Sequence, residues 1–291
     1  MTDYNKELLI ALREKIKLGS KTFQMLLTAF GSLEAIVSAD IERLALFPRI
    51  SKKRAESIVN VERHLPGIRD DLEMYSESDI KLMTILDDDY PLILKETGDP
   101  PFILYYKGHF PLKSAQFIGF VGTTRATAEG IALAVDFACA LSEKGAVIVS
   151  GLARGIDTAA HMGAIKAEGQ SYAVLGCGLN NIYPPENKRL ADELREKGAV
   201  ISEYPPDSKV TTGRLISRNR IIVGLSHSLV IGELDNNSKG TIDTAERAKN
   251  LGKLLFAIGN QAIPIDPGLI KHGAIPLNDI SRIDLIVDHS F

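Results

Sequence analysis

The sequence has no tryptophan, two cysteines and only 6% aromatic residues among its 291, so neither a disulfide framework nor an array of aromatic platforms organises it. Cys139 and Cys177 stand in apolar stretches without CxxC or Cys/His spacing. That excludes a zinc ribbon or finger, predicts no metal and reads as reduced, buried thiols. No apolar run reaches the roughly 18 residues needed to span a bilayer, and the opening MTDYNKELLI is polar, unlike a signal peptide. A cytoplasmic protein without a membrane role is expected. A dominant charge is missing too: 34 Lys and Arg stand against 37 Asp and Glu, a net charge of −3. Polyanions are not drawn in by such an overall field, so a nucleic-acid reading must rest on local clusters. GxGxxG and GxxxxGK[ST] are both absent, which disfavours a nicotinamide enzyme and a P-loop NTPase and predicts no cofactor.

What is present is ordinary globular material, 45% hydrophobic and 24% charged, long enough for two domains or one large α/β domain. Residues 1–70 read as short helices, with Leu8, Leu9, Leu12 and Ile16 and then Phe23, Leu26, Leu27 and Phe30 at helical spacing. LGSKTFQMLL and FPRISKKRAESIV repeat a turn, a Ser-Lys pair and an amphipathic helix, resembling two degenerate helix-hairpin-helix units. Lys21, Lys52 and Lys53 then stand near helix N-termini where a phosphate can bind. An ordinary helical bundle with solvated lysines accounts for the same pattern. Residues 71–115 read as a connector with extended segments. Within it Asp87, Asp88 and Asp89 resemble a metal cluster only by charge, and a solvated turn before Tyr90-Pro91 is the preferred reading.

Over residues 116–291 apolar strands alternate with amphipathic helices. Strands are expected at Phe117–Val121, Val147–Ser150, Tyr172–Gly176, Val200–Glu203, Leu229–Gly232 and Leu254–Ile258. Helices are expected near 130–144, 157–168, 187–197, 217–225 and 241–251. Continuous Val/Ile/Leu strands are those buried on both faces, so the fold class is α/β, a doubly wound, largely parallel sheet preceded by a small all-α domain.

In such a sheet the ligand sits beyond the carboxyl ends of the strands. Four loops there combine Gly with Ser, Thr or cations, suited to several phosphates. They offer Gly122, Thr123, Thr124 and Arg125; Ser150, Gly151, Arg154 and Gly155; Lys188; and Lys239, Gly240 and Thr241. For any one loop, close packing of helix on strand is the plain alternative. TTGRLISRNRIIVGLS adds Arg214, Arg218, Asn219 and Arg220 ahead of a buried helix face, an arrangement read as a bidentate phosphate clamp. Tyr183 and Tyr204 are the aromatics available for stacking bases, but packing beside their prolines is the preferred reading of both. His161 lies four residues after Asp157, a spacing that reads as a local helical hydrogen bond.

VGTTRATAEG, SGLARGIDTAAH, VLGCGLNNIYPPENKRL, SEYPP, SRNRIIVGLS and KGTIDTAERAKNLGKLLFAIGN fall in an order that resembles the bacterial DNA-processing protein A (DprA/Smf) family over about residues 80–288. The resemblance implies an extended Rossmann-like domain and a SAM-like helical module. It also implies single-stranded DNA binding without catalysis, and loading of a RecA-type recombinase on incoming strands during natural transformation. A homodimer is implied as well, with Leu269, Ile270 and Ile275 at its surface, and the winged-helix C-terminal domain of some members is expected to be missing. Some positions depart from the family pattern: Thr124 stands at the usual Arg, Leu215-Ile216-Ser217 precedes the Arg-Asn-Arg, and Lys239 replaces a Ser. The alternative is a lysine-decarboxylase-like (LOG) nucleotide phosphoribohydrolase, which shares the sheet and a Gly-Thr-x-x-Glu loop. Here Thr244 occupies the position of that glutamate, and Glu246 lies two residues on, about 200° further round a helix.

Overall fold

The computed structural model describes residues 3–111, 115–235 and 238–288. The chain forms two compact units, Met1–Tyr90 with Gly98–Tyr105, and Pro91–Thr97 with Tyr106–Phe291. The first unit holds α1 (Asp3–Glu14), α2 (Ser20–Phe30), α3 (Leu33–Val37), α4 (Ile41–Leu44), α5 (Lys52–Val59), α6 (Leu65–Glu77) and β1 (Lys81–Thr84), together with the first residues of β2 (Ile103–Gly108). Their boundaries follow local chemistry. Ser32 and Ser51 accept hydrogen bonds from the backbone of Ala35 and Arg54, starting α3 and α5. Gly31, at φ 81°, ends α2 by donating its N–H to Leu27 O.

The helices share a core with β2. Phe23 stacks on Phe102 at 4.6 Å between centroids, and Tyr75 meets Tyr105 edge-on at 5.9 Å. A boundary at residue 70 therefore falls inside α6, and residues 71–115 supply its last turns, β1, α7 (Leu92–Lys95) and β2. Asp87 accepts from the Thr84 N–H at 2.7 Å, closing a turn after β1.

One buried carboxyl in this unit makes stability depend on pH. Glu14 is 8% exposed, and Tyr75 and Tyr105 both donate hydroxyls to it. Burial pushes its pKa up, against the opposing pull of the Tyr105 hydrogen bond. A folded-state pKa above the unfolded one favours the native state at low pH. That contribution fades as pH climbs from the ordinary glutamate value through the raised one. Urea denaturation at pH 5 and pH 7 should show a decline for the parent chain and a smaller one for Glu14→Gln. Equal declines in both would remove Glu14 as the cause.

The second unit continues with β3 (Phe117–Val121), α8 (Ala128–Glu143), β4 (Val147–Ser150), α9 (Ile156–Lys166), β5 (Ser171–Leu175), α10 (Lys188–Lys197) and β6 (Ala199–Ser202). There follow α11 (Thr212–Leu225), β7 (Ser228–Ile231), α12 (Lys239–Asn250), β8 (Leu254–Ile258), α13 (Pro267–Lys271), β9 (Ile275–Leu277) and α14 (Asp284–Asp288). The strands run in the order β6-β5-β4-β3-β7-β8-β9, and these pairings are all parallel. Gly119 of β3 stands opposite Val149 of β4 and Leu229 of β7. The chain thus starts at the middle, winds outward to β6, crosses back beyond β3 and winds the other way. This is the doubly wound, Rossmann-like sheet expected from the continuous apolar strands.

Helices α8 and α9 cover one face, and Ile118, Phe120, Phe137, Leu141, Ile148, Ile156, Val230 and Phe256 form its core. Helix α11 begins at Thr212, five residues before its expected start. The Thr211 hydroxyl caps the Arg214 N–H at 3.2 Å, so the helix begins ahead of its apolar run. Cys177 is buried, whereas Cys139 is only half-buried, its thiol directed at Glu143. The apolar group expected at a dimer surface does not face outward together. Leu269 is 2% exposed and Ile275 packs against the core, leaving Ile270 open. Among the described residues, no helix is long and apolar enough to cross a membrane, and no group of three or more His, Cys, Asp or Glu is placed to hold a metal ion.

Candidate nucleic-acid interface

A cleft of about 700 Å³ opens where the strand order reverses. Its lining comprises Gly122, Thr123, Thr124 and Arg125 after β3; Gly151, Ala153 and Arg154 after β4; Tyr183 and Pro184 after β5; Ser238, Gly240 and Thr241 at the start of α12; and Leu215, Ile216, Arg218 and Asn219 of α11. Most of the loop residues expected to bind phosphate are thereby brought together. Asn236 and Asn237 of the loop after β7 lie outside the described residues.

Four helices start near this cleft, and their caps differ. Thr127 caps α8 and Thr211 caps α11 through their hydroxyls. Neither α9 nor α12 has a side-chain cap; part of each first turn is engaged by backbone, Thr158 N–H donating to Ala153 O at 3.1 Å and Thr241 N–H to Ser238 O at 2.9 Å, while the helix dipole still favours an anion at each start. Both starts are fastened to the loop after β3. Ile156 N–H donates to Thr123 O at 3.1 Å, and Thr241 Oγ1 donates to Gly122 O at 3.1 Å. Gly155 precedes α9 at φ 70°, where a Cβ would lie 2.3 Å from Thr123 O. Only glycine lets α9 point its N-terminus so close to β3.

The arginine clamp read from the sequence is corrected by the tertiary structure. Arg218 is 4% exposed. Its guanidinium donates to the carbonyls of Gly151 and Val174, to Asn219 Oδ1 at 2.9 Å and to Asp157 Oδ2 at 3.3 Å. Burial pulls Arg218 down and Asp157 up in pKa, and the charge of each opposes the shift of the other. Arg220, 8% exposed, donates to Glu203. Their charges are committed inside the protein: Arg218 lines the cleft with its guanidinium turned inward, and Arg220 is not among the cleft's lining residues. Asn219 is equally engaged, donating to Thr244 Oγ1 at 2.9 Å. Ser150 is buried and donates to Phe120 O at 2.6 Å.

The accessible cations are others. Arg125 reaches Asp235 at 2.8 Å with 63% of its side chain exposed, and Arg154 reaches Glu186 at 2.5 Å with 56% exposed. Lys239 is exposed on the first residue of α12. Solvent-exposed ion pairs are weakly held and exchange their carboxylate for another anion. Lys188 does not line this cleft but a separate hollow. Arg214 lies over Tyr204, 4.7 Å from the ring centroid, so Tyr204 is packed away, while Tyr183 stays 36% exposed at the rim. Sequence reasoning missed the apolar wall of Leu215 and Ile216. The Thr-x-x-Arg cap of α11 was the signal that could have placed both on a helix. Lys21, Lys52 and Lys53 are exposed in the first unit, with Lys52 3.6 Å from Glu42.

Two suspected acid-base groups have other partners. Ser171 Oγ donates to Ile148 O, so His161 Nδ1 donates to Ser171 Oγ at 2.7 Å. The expected bond to Asp157 is not formed, and burial pushes His161 down to about 3. Thr244 lines the cleft, its hydroxyl donating to Gly240 O at 2.6 Å, whereas the Glu246 carboxylate lies 4.0 Å from His272 Nδ1.

The family model for DNA recombination-mediator protein A matches residues 81–283, and that for a SAM-like helix-hairpin-helix tandem matches residues 17–61. The DNA processing protein DprA of Bacillus subtilis is 38% identical over 213 residues, 72% of this chain and 71% of its own. Its Streptococcus pneumoniae counterpart is 42% identical over 175 residues, 60% of this chain and 61% of its own. Protein Smf of Synechocystis is 38% identical over 193 residues, 65% of this chain. The match spans only 48% of that relative's length. Among solved structures, DNA processing protein A from S. pneumoniae superposes with a TM-score of 0.80 at 29% identity, covering 98% of both chains. DNA processing protein A from Helicobacter pylori, described for its single-stranded DNA binding mode, gives a TM-score of 0.64 at 27% identity over 72% of this chain and 96% of its own.

Proposed function

The chain belongs to the DNA recombination-mediator protein A (DprA/Smf) family, and from that premise we propose that it is a non-enzymatic single-stranded DNA-binding protein of DNA uptake and recombination. The observation that carries this reading is the pair of uncapped helix starts, α9 and α12, opening onto one cleft. Phosphates dock at these helix starts, drawn by the helix dipoles, and displace Asp235 and Glu186 from Arg125 and Arg154, while Lys239 adds a third cation. The internal commitment of Asn219 and Arg218 leaves few groups to read base edges, so sequence tolerance follows. A hydrolase is the weaker reading, because a threonine faces the cleft at the position where that chemistry needs a carboxylate.

In the cytoplasm the bound strand is passed to a RecA-type recombinase, and in transformable cells the strand is the incoming one. Lys21, Lys52 and Lys53 add tethered phosphate contacts that matter on longer strands. The protein acts as a homodimer through a surface that includes Ile270, and light scattering at tens of micromolar tests it; monomer with and without DNA removes that element.

Fluorescence anisotropy across a salt series tests the binding itself. Single strands are expected to bind at least about tenfold more tightly than duplex of equal length, with log affinity falling linearly in log salt. Equal affinities overturn the reading. Replacing both Arg125 and Arg154 with alanine should lower the salt slope by about 1.4, roughly 0.7 for each lost single-strand phosphate contact. An unchanged slope would show that neither meets the strand.

A further inference from the structure

The first unit carries two surfaces of opposite charge, each with an exposed apolar side chain among its charged ones. Between residues 41 and 54 five cations stand against one carboxylate, Glu42, in a chain whose net charge is −3. Leu46 lies in the turn joining α4 to α5 and is 83% exposed, more than any other large apolar side chain among the described residues. The turn is closely braced. Leu46, Phe47 and Ile50 donate their N–H groups to the carbonyls of Arg43, Leu44 and Phe47 at 3.4, 3.1 and 3.1 Å. Phe47 lies 5.7 Å from Phe30 between centroids, and the Arg43 guanidinium sits 4.6 Å from the Phe30 centroid. Arg54 donates to Arg49 O at 3.2 Å and to Lys17 O at 2.6 Å. Arg43 and Arg49 are exposed and carry no ion pair among the described residues.

The opposite charge stands on α6. Residues 70–79 hold five carboxylates and no cation. Asp70, Glu73, Met74 and Glu77 recur at i, i+3, i+4 and i+7, so they share one face of the helix, and all four are exposed. Leu65, Ile68 and Tyr75 are buried on the other face. Asp71 is engaged by Lys15 at 3.0 Å, whereas Asp70, Glu73 and Glu77 carry no ion pair among the described residues. A leucine beside free arginines and a methionine, 49% exposed, among free carboxylates complement each other in charge and in apolar surface. A nucleic acid would answer the arginines but leave Leu46 in water and repel α6.

We propose that the chain binds a second copy of itself head to tail, the Leu46 turn of one protomer docking on the α6 face of the next. Arg43 and Arg49 meet Asp70, Glu73 and Glu77 there, and Leu46 packs on Met74. The two surfaces differ, so the contact is heterologous: every copy added leaves one turn and one helix face open, and assembly continues past a pair. Because its charges are exposed, the contact weakens as salt rises. It is separate from the Ile270 surface and needs no DNA.

Sedimentation velocity of the full chain without DNA, from about 1 to about 100 µM, tests it. At about 0.05 M salt the weight-average mass should climb past a dimer with concentration, and at about 0.5 M salt it should not. Leu46→Ser with Arg49→Gly removes one surface, the glycine suiting the left-handed φ of 68° at that position. Glu73→Gln with Met74→Ser removes the other. All four residues are exposed, so both variants should melt like the parent. Each alone should remain at least about twofold lighter than the parent at the highest concentration. An equal mixture should become heavier than either variant alone, because an intact turn then meets an intact helix face. A parent chain that never passes the dimer overturns the contact, and so does growth that neither variant nor salt reduces. A mixture no heavier than its components also overturns it, since the contact would then pair like with like. If the first variant binds long single strands less tightly while the parent chain does not grow, the cations belong to nucleic acid and the contact falls.

Discussion

Arg218→Ala should lower the unfolding free energy by about 3–5 kcal/mol, because it leaves a buried carboxylate without its counter-charge. The arginine also anchors the carbonyls of Gly151 and Val174, and these lose their donor at the same time. A melting temperature roughly 10 °C lower is expected by scanning calorimetry. Arg218→Ala combined with Asp157→Asn separates the causes. If the uncompensated charge dominates, the double variant is more stable than the single one. A parent-like melting temperature with weakened DNA binding would return Arg218 to the role of phosphate ligand.

Gly155→Ala is the second large effect. The residue sits at φ 70° and ψ −125°, a region that side-chain-bearing residues enter at about 1–3 kcal/mol. The added Cβ would also press on Thr123 O and on the Thr124 backbone. Relief requires α9 to draw back from the loop after β3, which moves one of the two helix starts that lack a side-chain cap. The expected outcome is a destabilised protein whose remaining folded fraction binds single strands at least about tenfold more weakly, about 1.4 kcal/mol of lost affinity. Gly213→Ala, with nothing within 4 Å of its Cβ, should leave both properties near parental values. If Gly155→Ala behaves like Gly213→Ala, α9 does not set the geometry of the cleft.

Strands β3, β4 and β8 lie where their continuous apolar runs place them, because a strand buried on both faces leaves that mark in one dimension. The Ser and Thr caps of α3, α5 and α8 are legible for a similar reason, since each bond spans three residues. β9 escapes notice because three residues carry no usable period. Lys253 reads as one more surface lysine, yet its ammonium donates to the carbonyls of Val223, Gly224 and Ser226 and burial lowers its pKa to about 8. No sequence pattern marks a partner about thirty residues away.

By itself the sequence determined the alternation of strand and helix, the doubly wound class and the loops that could meet a phosphate, all products of local periodicity and backbone freedom. Which charges face solvent was settled only by the tertiary structure. Arg218 and Arg220 look like a clamp in the chain, but long-range approach of Asp157 and Glu203 turns them inward. Lys188 reads as part of the main site, and the fold of the loop after β5 moves it to another hollow. A guanidinium or ammonium is attractive to any anion within reach, and sequence spacing does not say which acid the fold brings first.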